Sequence, residues 1–183
     1  MNLPEKILKT HEALSAAELH HAFGGALALA WCTGRARGTI DIDINVFVSA
    51  ERFEDVFTAL PDGVIVEEKA RDIIKRDGQV RLWWEQTPVD LFLNTTGFHV
   101  QAAQRVRREV FMGRELPFLS CYDLAVFKAF FNRTKDWADL EAMRDAGTLD
   151  CNAVTAQLIG MLGTDDERIE KLQALGAEDT APL

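Results

Sequence analysis

The stretch that decides the fold is Arg37-Gly38-Thr39-Ile40-Asp41-Ile42-Asp43, which continues as Ile44-Asn45-Val46. Apolar and polar residues alternate here with a period of two, the pattern of a half-buried β-strand. Because successive side chains on a strand point to opposite faces, the apolar residues from Ile40 to Val46 are predicted to face a core, and Asp41 and Asp43 to share the other face. Two carboxylates on one face repel each other unless a cation lies between them. The pattern therefore predicts a site for a hard divalent cation, Mg²⁺ (or Mn²⁺).

An isolated Asp-x-Asp pair is also compatible with an ordinary edge strand whose polar face is in water. Two neighbouring segments favour the metal site instead. Gly24-Gly25 precedes a helix-favouring run, so a glycine turn enters the N-terminus of a helix, where backbone N–H groups and the helix dipole favour a phosphate. Asp90 supplies a third carboxylate inside the strand-like run Val89–Leu93. Alone, Asp90 is more typical of an ordinary residue at the entry of a strand.

Together these segments resemble the nucleotidyltransferase (polymerase-β-like) superfamily. The likeness is greatest to its abortive-infection toxin type (AbiEii-like), whose members carry a GG-(A/T)-x-x-L helix and an R-x-(T/S)-x-D-x-D strand. A helix with a lysine follows in that family, and then basic residues and D-x-x-D-L. The corresponding segments here are Gly24–Leu29, Arg37–Asp43, Asp123–Lys128 and Asn132–Leu140, within about residues 20–145.

The resemblance implies roles for individual residues. Asp41, Asp43 and Asp90 would hold the metal ions and act in catalysis, and a nucleoside triphosphate (NTP) would be the donor substrate. The residues implied in nucleotide binding are Gly24, Gly25, Arg37, Lys128 and Asp139, with Lys128 also counted as catalytic. Two alternatives stay open: Arg37 can pair with a strand carboxylate, and Lys128 can be a helix residue whose amine reaches solvent past Phe127, Phe130 and Phe131.

The order of predicted elements gives the fold class. It is α/β (α+β): a nucleotidyltransferase-like mixed sheet of four or five strands, backed by helices, with a helical C-terminal part. We expect residues 1–183 to form a single domain, with a catalytic core over about 20–118 and C-terminal helices over about 119–175. Further predictions are a helix over 2–22, a strand at Ile73–Lys75, a hairpin turn at Arg76-Asp77-Gly78 and a loose tail over Gly176–Leu183.

Composition indicates where in the cell the protein acts and which kinds of partner it binds. A net charge of −9 and a pI near 4.9 argue against non-specific binding of nucleic acid through bulk charge. No run of about 20 apolar residues occurs, so no membrane span is predicted. The odd number and wide spacing of the cysteines predict reduced thiols in a cytoplasmic protein, and not a zinc site. The three are Cys32, Cys121 and Cys151.

Two classes of function follow. The first is a metal-dependent nucleotidyltransferase that moves a nucleoside monophosphate to a hydroxyl of RNA (tRNA included), a protein or a small molecule. If the chain is a toxin-type member, a cognate antitoxin protein is an expected partner. The second class is a non-catalytic nucleotide- or partner-binding module that retains the fold, which the presence of all three carboxylates disfavours.

Overall fold

The computed structural model describes residues 1–177. The chain divides into two compact units, each described here by itself. The first unit combines Met1–Leu27 with Arg37–Leu119, and the second combines Ala28–Ala36 with the chain from Ser120 onwards.

Within residues 1–177, seven strands form one mixed sheet in the first unit, in the order β3-β4-β5-β2-β1-β7-β6. This is two or more strands beyond the predicted four or five, because β1 and the β6–β7 hairpin were not recognised. The strands are β1 His21–Phe23, β2 Ile42–Ser49, β3 Val64–Ile65, β4 Gln79–Trp84, β5 Thr87–Asn94, β6 Arg107–Phe111 and β7 Arg114–Phe118.

Strand β2 lies in the interior of the sheet, parallel to β5 on one side and antiparallel to β1 on the other. Ile42, Ile44 and Val46 have no exposed surface, so the predicted core face of this strand is confirmed. Ile40 is 75% exposed, and its predicted core position is wrong. The reason is that the strand begins at Ile42, so the two-residue alternation does not extend back to residue 40.

Helices of the first unit begin at recognisable signals. In α1, Asn2 caps the N-terminus, because its side chain accepts from the Glu5 N–H and the Glu5 side chain accepts from the Asn2 N–H. Helix α2 begins at Gly25, the second residue of the glycine pair, and its residues are divided between the two units. These helices are α1 Leu3–Ala16, α2 Gly25–Thr33, α3 Phe53–Ala59, α4 Glu68–Asp77 and α5 Gly97–Gln104.

Two predicted elements of this unit are wrong. The helix expected over 2–22 ends at Ala16, and His21–Phe23 is a fully buried strand. The strand expected at Ile73–Lys75 belongs to α4, which buries Ala70 and Ile74 one helical turn apart. Gly78 is accordingly not part of a hairpin turn. It caps α4 in the left-handed conformation, with φ +67°.

The second unit is helical, as predicted for the C-terminal part. Ser120 caps its first complete helix by accepting from the Asp123 N–H. The predicted tail is wrong at Gly176 and Ala177, which are helical, and residues 178–183 lie outside the described residues. The helices are α6 Cys121–Phe131, α7 Thr134–Asp145, α8 Cys151–Leu162 and α9 Glu167–Ala177.

A disulfide bond joins Cys32 at the end of α2 to Cys121 at the start of α6, 89 positions later in sequence. Both cysteines belong to the second unit. The prediction of reduced thiols is therefore wrong for this pair, because spacing along the chain did not reveal that the two Cα atoms lie 5.6 Å apart. Cys151 is a free thiol. Over residues 1–177, no helix combines the length and the apolar character that crossing a membrane requires.

Candidate active site

Two of the three predicted carboxylates lie side by side. In the parallel pairing of β2 with β5, Asp43 is in register with Asp90. In-register residues of neighbouring strands point to the same face, and neighbouring strands are about 4.8 Å apart. The apolar neighbours Ile44 and Leu91, also in register, are buried on the opposite face. The sheet therefore brings the carboxylates of Asp43 and Asp90 to one face.

Asp41 lies one residue before β2, outside the regular strand. Its carboxylate accepts a hydrogen bond from the Thr39 hydroxyl, which lies two residues earlier. The Thr39 hydroxyl also contacts the Asp41 N–H at 3.3 Å, so the approach to the strand is held by a local side-chain turn. The contacts with Thr39 thus hold the Asp41 carboxylate, which lies two residues before Asp43 in sequence.

The glycine pair packs directly against Asp43. The Gly24 N–H donates to the Asp43 carbonyl at 2.9 Å, and Gly25 has φ +49°. A Cβ atom at Gly25 would lie 1.9 Å from Asp43 Oδ2 and 2.5 Å from its Cγ, a separation at which atoms overlap. Glycine is needed here for left-handed backbone and for close approach to the carboxylate. The predicted turn therefore lies beside the predicted acids.

Arg81 belongs to the same cluster, and the sequence did not predict it as a site residue. It is in register with Asp90 in the antiparallel β4–β5 pair. Its Nε and Nη2 donate to Asp90 Oδ1 and Oδ2 at 2.7 and 2.6 Å. The hydrogen bond to Asp90 raises the pKa of Arg81, and the charges of Asp90, Asp41 and Asp43 raise it further. The charge of each of the three carboxylates thus acts on the guanidinium of Arg81.

Arg37, the basic residue before the Asp-x-Asp pair, does not lie on strand β2. Arg37 was expected on the strand face shared with Asp41. It lies in the exposed, irregular segment between α2 and β2, because the strand starts only at Ile42. Arg37 is therefore not part of the sheet. Its role in phosphate binding stays a hypothesis.

In the second unit, Lys128 and Asp139 form a buried ion pair between α6 and α7. Lys128 Nζ lies 2.6 Å from Asp139 Oδ2 and 3.6 Å from Asp136 Oδ1. Asp136 is fully buried and also accepts from Arg133. Lys128 therefore has two buried acidic neighbours, Asp139 and Asp136.

Comparison with known proteins gives the fold its name. No protein-family model matches the chain, and no curated protein matches it. Solved structures do match. The solution structure of the antibiotic-resistance factor ANT(2'')-Ia has a TM-score of 0.54 at 16% identity, over 96% of this chain and 91% of that one. The crystal structure of ANT(2'')-Ia with adenylyl-2''-tobramycin has a TM-score of 0.55 at 15% identity, over 96% and 97%.

A third match is the lincomycin-bound lincosamide antibiotic adenylyltransferase LnuA. Its TM-score is 0.54 at 13% identity, over 78% of this chain and 96% of that one. The chain has the nucleotidyltransferase fold. At identities of 13–16% the likeness establishes the fold of the chain and leaves its substrates to be argued from the site.

The carboxylates of this nucleotidyltransferase fold suit a divalent metal by their chemistry. Carboxylate oxygens are the ligands that Mg²⁺ and Mn²⁺ prefer, and Asp43 and Asp90 are in register on one face. Among residues 1–177, no three acidic, histidine or cysteine side chains are arranged as a ready ligand set. Both oxygens of Asp90 accept hydrogen bonds from Arg81, so a metal ion at Asp90 would meet a carboxylate that already has a cationic partner.

Proposed function

We propose that this protein is a metal-dependent nucleotidyltransferase, which moves a nucleoside monophosphate from an NTP to a hydroxyl acceptor. The observation that carries the proposal is the in-register pair of Asp43 and Asp90 beside the Gly24-Gly25 turn. The nucleotidyltransferase fold supports it, because the fold provides a sheet on which such a pair can act on a bound nucleotide.

The proposed reaction is an in-line displacement at the α-phosphorus. The acceptor oxygen bonds to phosphorus, the bond to the bridging oxygen breaks, and pyrophosphate leaves. Such reactions depend on positioning and on neutralising charge. Divalent metal ions, when bound, supply that neutralisation on both the attacking and the leaving oxygens. Asp41 and Asp43 would hold the metal, and Asp90 would share it and take the proton of the acceptor hydroxyl.

The remaining residues are proposed to bind the nucleotide. The Gly24-Gly25 backbone would lie against the triphosphate, at the N-terminus of α2. Arg37, Lys128 and Asp139 keep the roles implied by the sequence resemblance, as phosphate ligands and as the residue that orients Lys128. The burial of Lys128 between two carboxylates makes it the residue whose proposed role most needs a direct test.

A small hydroxylated molecule is the acceptor class that we place first. The ANT(2'')-Ia structure contains adenylyl-2''-tobramycin, and the LnuA structure contains lincomycin, so two structures of this fold are bound to small molecules of that kind. The net charge of −9 also favours a cationic or neutral acceptor over a polyanion. RNA (tRNA included) and protein hydroxyls are the other acceptors to be tested.

A toxin–antitoxin role remains a hypothesis from the sequence resemblance alone, and the three compared structures are all of antibiotic-related proteins. It would require a cognate antitoxin protein. A cytoplasmic location is also proposed, because NTPs are found there. The cysteines no longer support that location, since Cys32 and Cys121 are bonded to each other.

The test is transfer of label from α-³²P NTPs in the presence of Mg²⁺ or Mn²⁺. Acceptors are offered separately: tobramycin-like and lincomycin-like molecules, total tRNA, and a protein lysate. We expect label on one acceptor class, and a loss of about 10²–10⁴-fold in Asp43→Asn and Asp90→Asn. Asp72→Asn, an exposed carboxylate on α4, is the matched control and keeps full activity.

Two results would contradict the proposal. One is unchanged transfer in both Asn variants, which would mean that the label is moved by other groups. The other is nucleotide binding in calorimetry without transfer to any acceptor, which would favour the non-catalytic binding module.

A further inference from the structure

Asp90, the third carboxylate of the candidate active site, already has a cationic partner. Arg81 donates two parallel hydrogen bonds to Asp90, at 2.7 and 2.6 Å. A forked arginine–carboxylate pair is among the strongest ion pairs in proteins. The Asp90 side chain is 17% exposed, so water screens its half of the pair only weakly. Arg81 therefore binds both oxygens of the third carboxylate.

Its charge also lies near a second acid, Asp43. Arg81 is in register with Asp90 in the β4–β5 pair, and Asp90 is in register with Asp43 in the β2–β5 pair. Neighbouring carboxylates destabilise each other unless a positive charge is near. Arg81 supplies that charge from β4, the strand next to β5 on the side away from β2.

Arg81 and a metal ion would both bind the carboxylate of Asp90. Both Asp90 oxygens already accept from Arg81, and the positive guanidinium opposes the approach of a second cation. We propose that Arg81 is the resident counter-cation of this site, and that a divalent metal ion binds Asp90 by displacing its guanidinium. Arg81 is then a positioning residue, which keeps Asp90 aligned in the absence of metal. The inference rests on the metal site of the proposed function.

The structure offers space for the displaced side chain. The Arg81 side chain is 52% exposed. It lines a cavity of about 490 Å³ beside β4, together with Trp83 and Glu85. Trp83 is 44% exposed, and an indole face and a carboxylate are both favourable partners for a guanidinium. Movement of Arg81 therefore does not require the sheet to change.

Binding of Mn²⁺ alone tests the proposal, with the nucleotide-free full chain and electron paramagnetic resonance to count free ions. We expect Arg81→Met to bind Mn²⁺ more tightly than the wild type, by roughly 3- to 10-fold, because no ion pair has to be broken. Arg76→Met is the matched control. Arg76 makes the same fork to Asp77, at 2.7 and 2.7 Å, on the exposed end of α4. We expect that variant to bind Mn²⁺ like the wild type.

A second comparison separates displacement from a general effect of charge. In an Asp90→Asn background, Arg81→Met should give no gain, because the contested ligand is absent. A gain that persists there, or equal affinity of wild type and Arg81→Met, would overturn the proposal. If Arg81→Met fails to fold by circular dichroism, Arg81→Lys is used, which keeps the charge and loses the fork. A smaller gain supports the proposal, and an unchanged affinity overturns it.

The outcomes also separate this inference from the proposed function. A tighter Mn²⁺ affinity in Arg81→Met without nucleotidyl transfer to any acceptor would support the counter-cation and contradict the transferase. Nucleotidyl transfer by the wild type, together with equal Mn²⁺ affinity of the wild type and Arg81→Met, would support the transferase and contradict the counter-cation. If none of the variants nor the wild type binds Mn²⁺, both proposals are wrong.

Discussion

At the scale of single residues, Gly25 and Asp43 restrict each other. A Cβ at position 25 would lie 1.9 Å from Asp43 Oδ2, so any larger residue pushes the carboxylate off the sheet face. The positive φ of +49° adds a second restriction, because residues with a Cβ seldom adopt it. The glycine of the predicted phosphate turn therefore also sets the position of an acid.

Gly25→Ala is expected to lose both stability and Mn²⁺ affinity. Gly113→Ala is its control, since Gly113 has φ +77° and nothing within 4 Å of an added Cβ. The left-handed backbone alone costs about 1–2 kcal/mol, which is the loss expected for Gly113→Ala in urea unfolding. Gly25→Ala should lose clearly more than that. Equal losses in the two variants would show that Asp43 moves aside without cost.

A histidine pair near β1 makes stability depend on pH. His21 Nδ1 contacts the Leu19 carbonyl at 2.7 Å, and its Nε2 lies 2.9 Å from His11 Nδ1. Burial lowers the pKa of His21 from 6.5 to about 4, and the nearby charge of Arg108 acts in the same direction. His21 is therefore neutral in the folded protein at neutral pH.

Because the folded pKa of His21 is lowered, the unfolded chain binds more protons between pH 6.5 and 4. The free energy of unfolding should fall as the pH drops through this range, by roughly 2–4 kcal/mol for a shift of this size. His21→Gln should flatten that slope in urea unfolding at pH 7.5, 6, 5 and 4.5. His20→Gln, at an exposed position, should keep most of it. An unchanged slope in His21→Gln would assign the pH dependence to other groups.

At the scale of elements, α6 and α7 are held together by buried charges. Lys128 lies between Asp139 and Asp136, and the side chains of all three are at most 7% exposed. Arg133 adds a second cation, with Nε 2.6 Å from Asp136 Oδ2. Removing one member of such a network leaves an uncompensated charge inside the protein.

Lys128→Met is expected to lower the free energy of unfolding by about 3–5 kcal/mol, because Asp139 loses its partner in a buried position. Lys171→Met is the control, since its amine pairs with Glu167 near the surface, and it should cost about 1 kcal/mol or less. Urea unfolding with and without ATP measures both effects. Near wild-type stability of Lys128→Met with a loss of ATP affinity would instead support a phosphate-binding role.

Elements with a clear period were predictable, and elements that depend on distant partners were not. The alternation around Asp43 predicted β2, and the isolated Asp90 was correctly placed on a strand. Ile73 and Ile74 suggested a strand because they are β-branched, but packing of α4 outweighed that local preference. Arg81 could not be assigned to the site, because its partner Asp90 follows from the register of two strands.

At the scale of the whole molecule, one covalent bond closes about half of the chain into a loop. The cysteines of the Cys32–Cys121 disulfide are 89 positions apart in sequence, and the segment between them includes strands β2 to β7. A cross-link of this length reduces the freedom of the unfolded chain more than that of the folded protein. It therefore contributes to the stability of the chain well beyond the two helices that it joins.

The double variant Cys32→Ser with Cys121→Ser should unfold at lower urea concentration. The chain-entropy estimate for a loop of this size is about 4–5 kcal/mol. Cys151→Ser removes the free thiol and is the control, with little expected change. Thiol titration of the unreduced, denatured wild type should find one thiol per chain. Three thiols would show that the bond does not form under those conditions.

The position of β1 has a consequence for how the protein is made. β1 lies between β2 and β7, and β7 ends at Phe118, 95 residues after Phe23. At about 5–20 residues per second, a ribosome needs roughly 5–20 s to produce that interval. During this time β1 has no β7 to pair with. Because unpaired strand edges favour aggregation, we expect the nascent chain to fold better when a chaperone covers this edge.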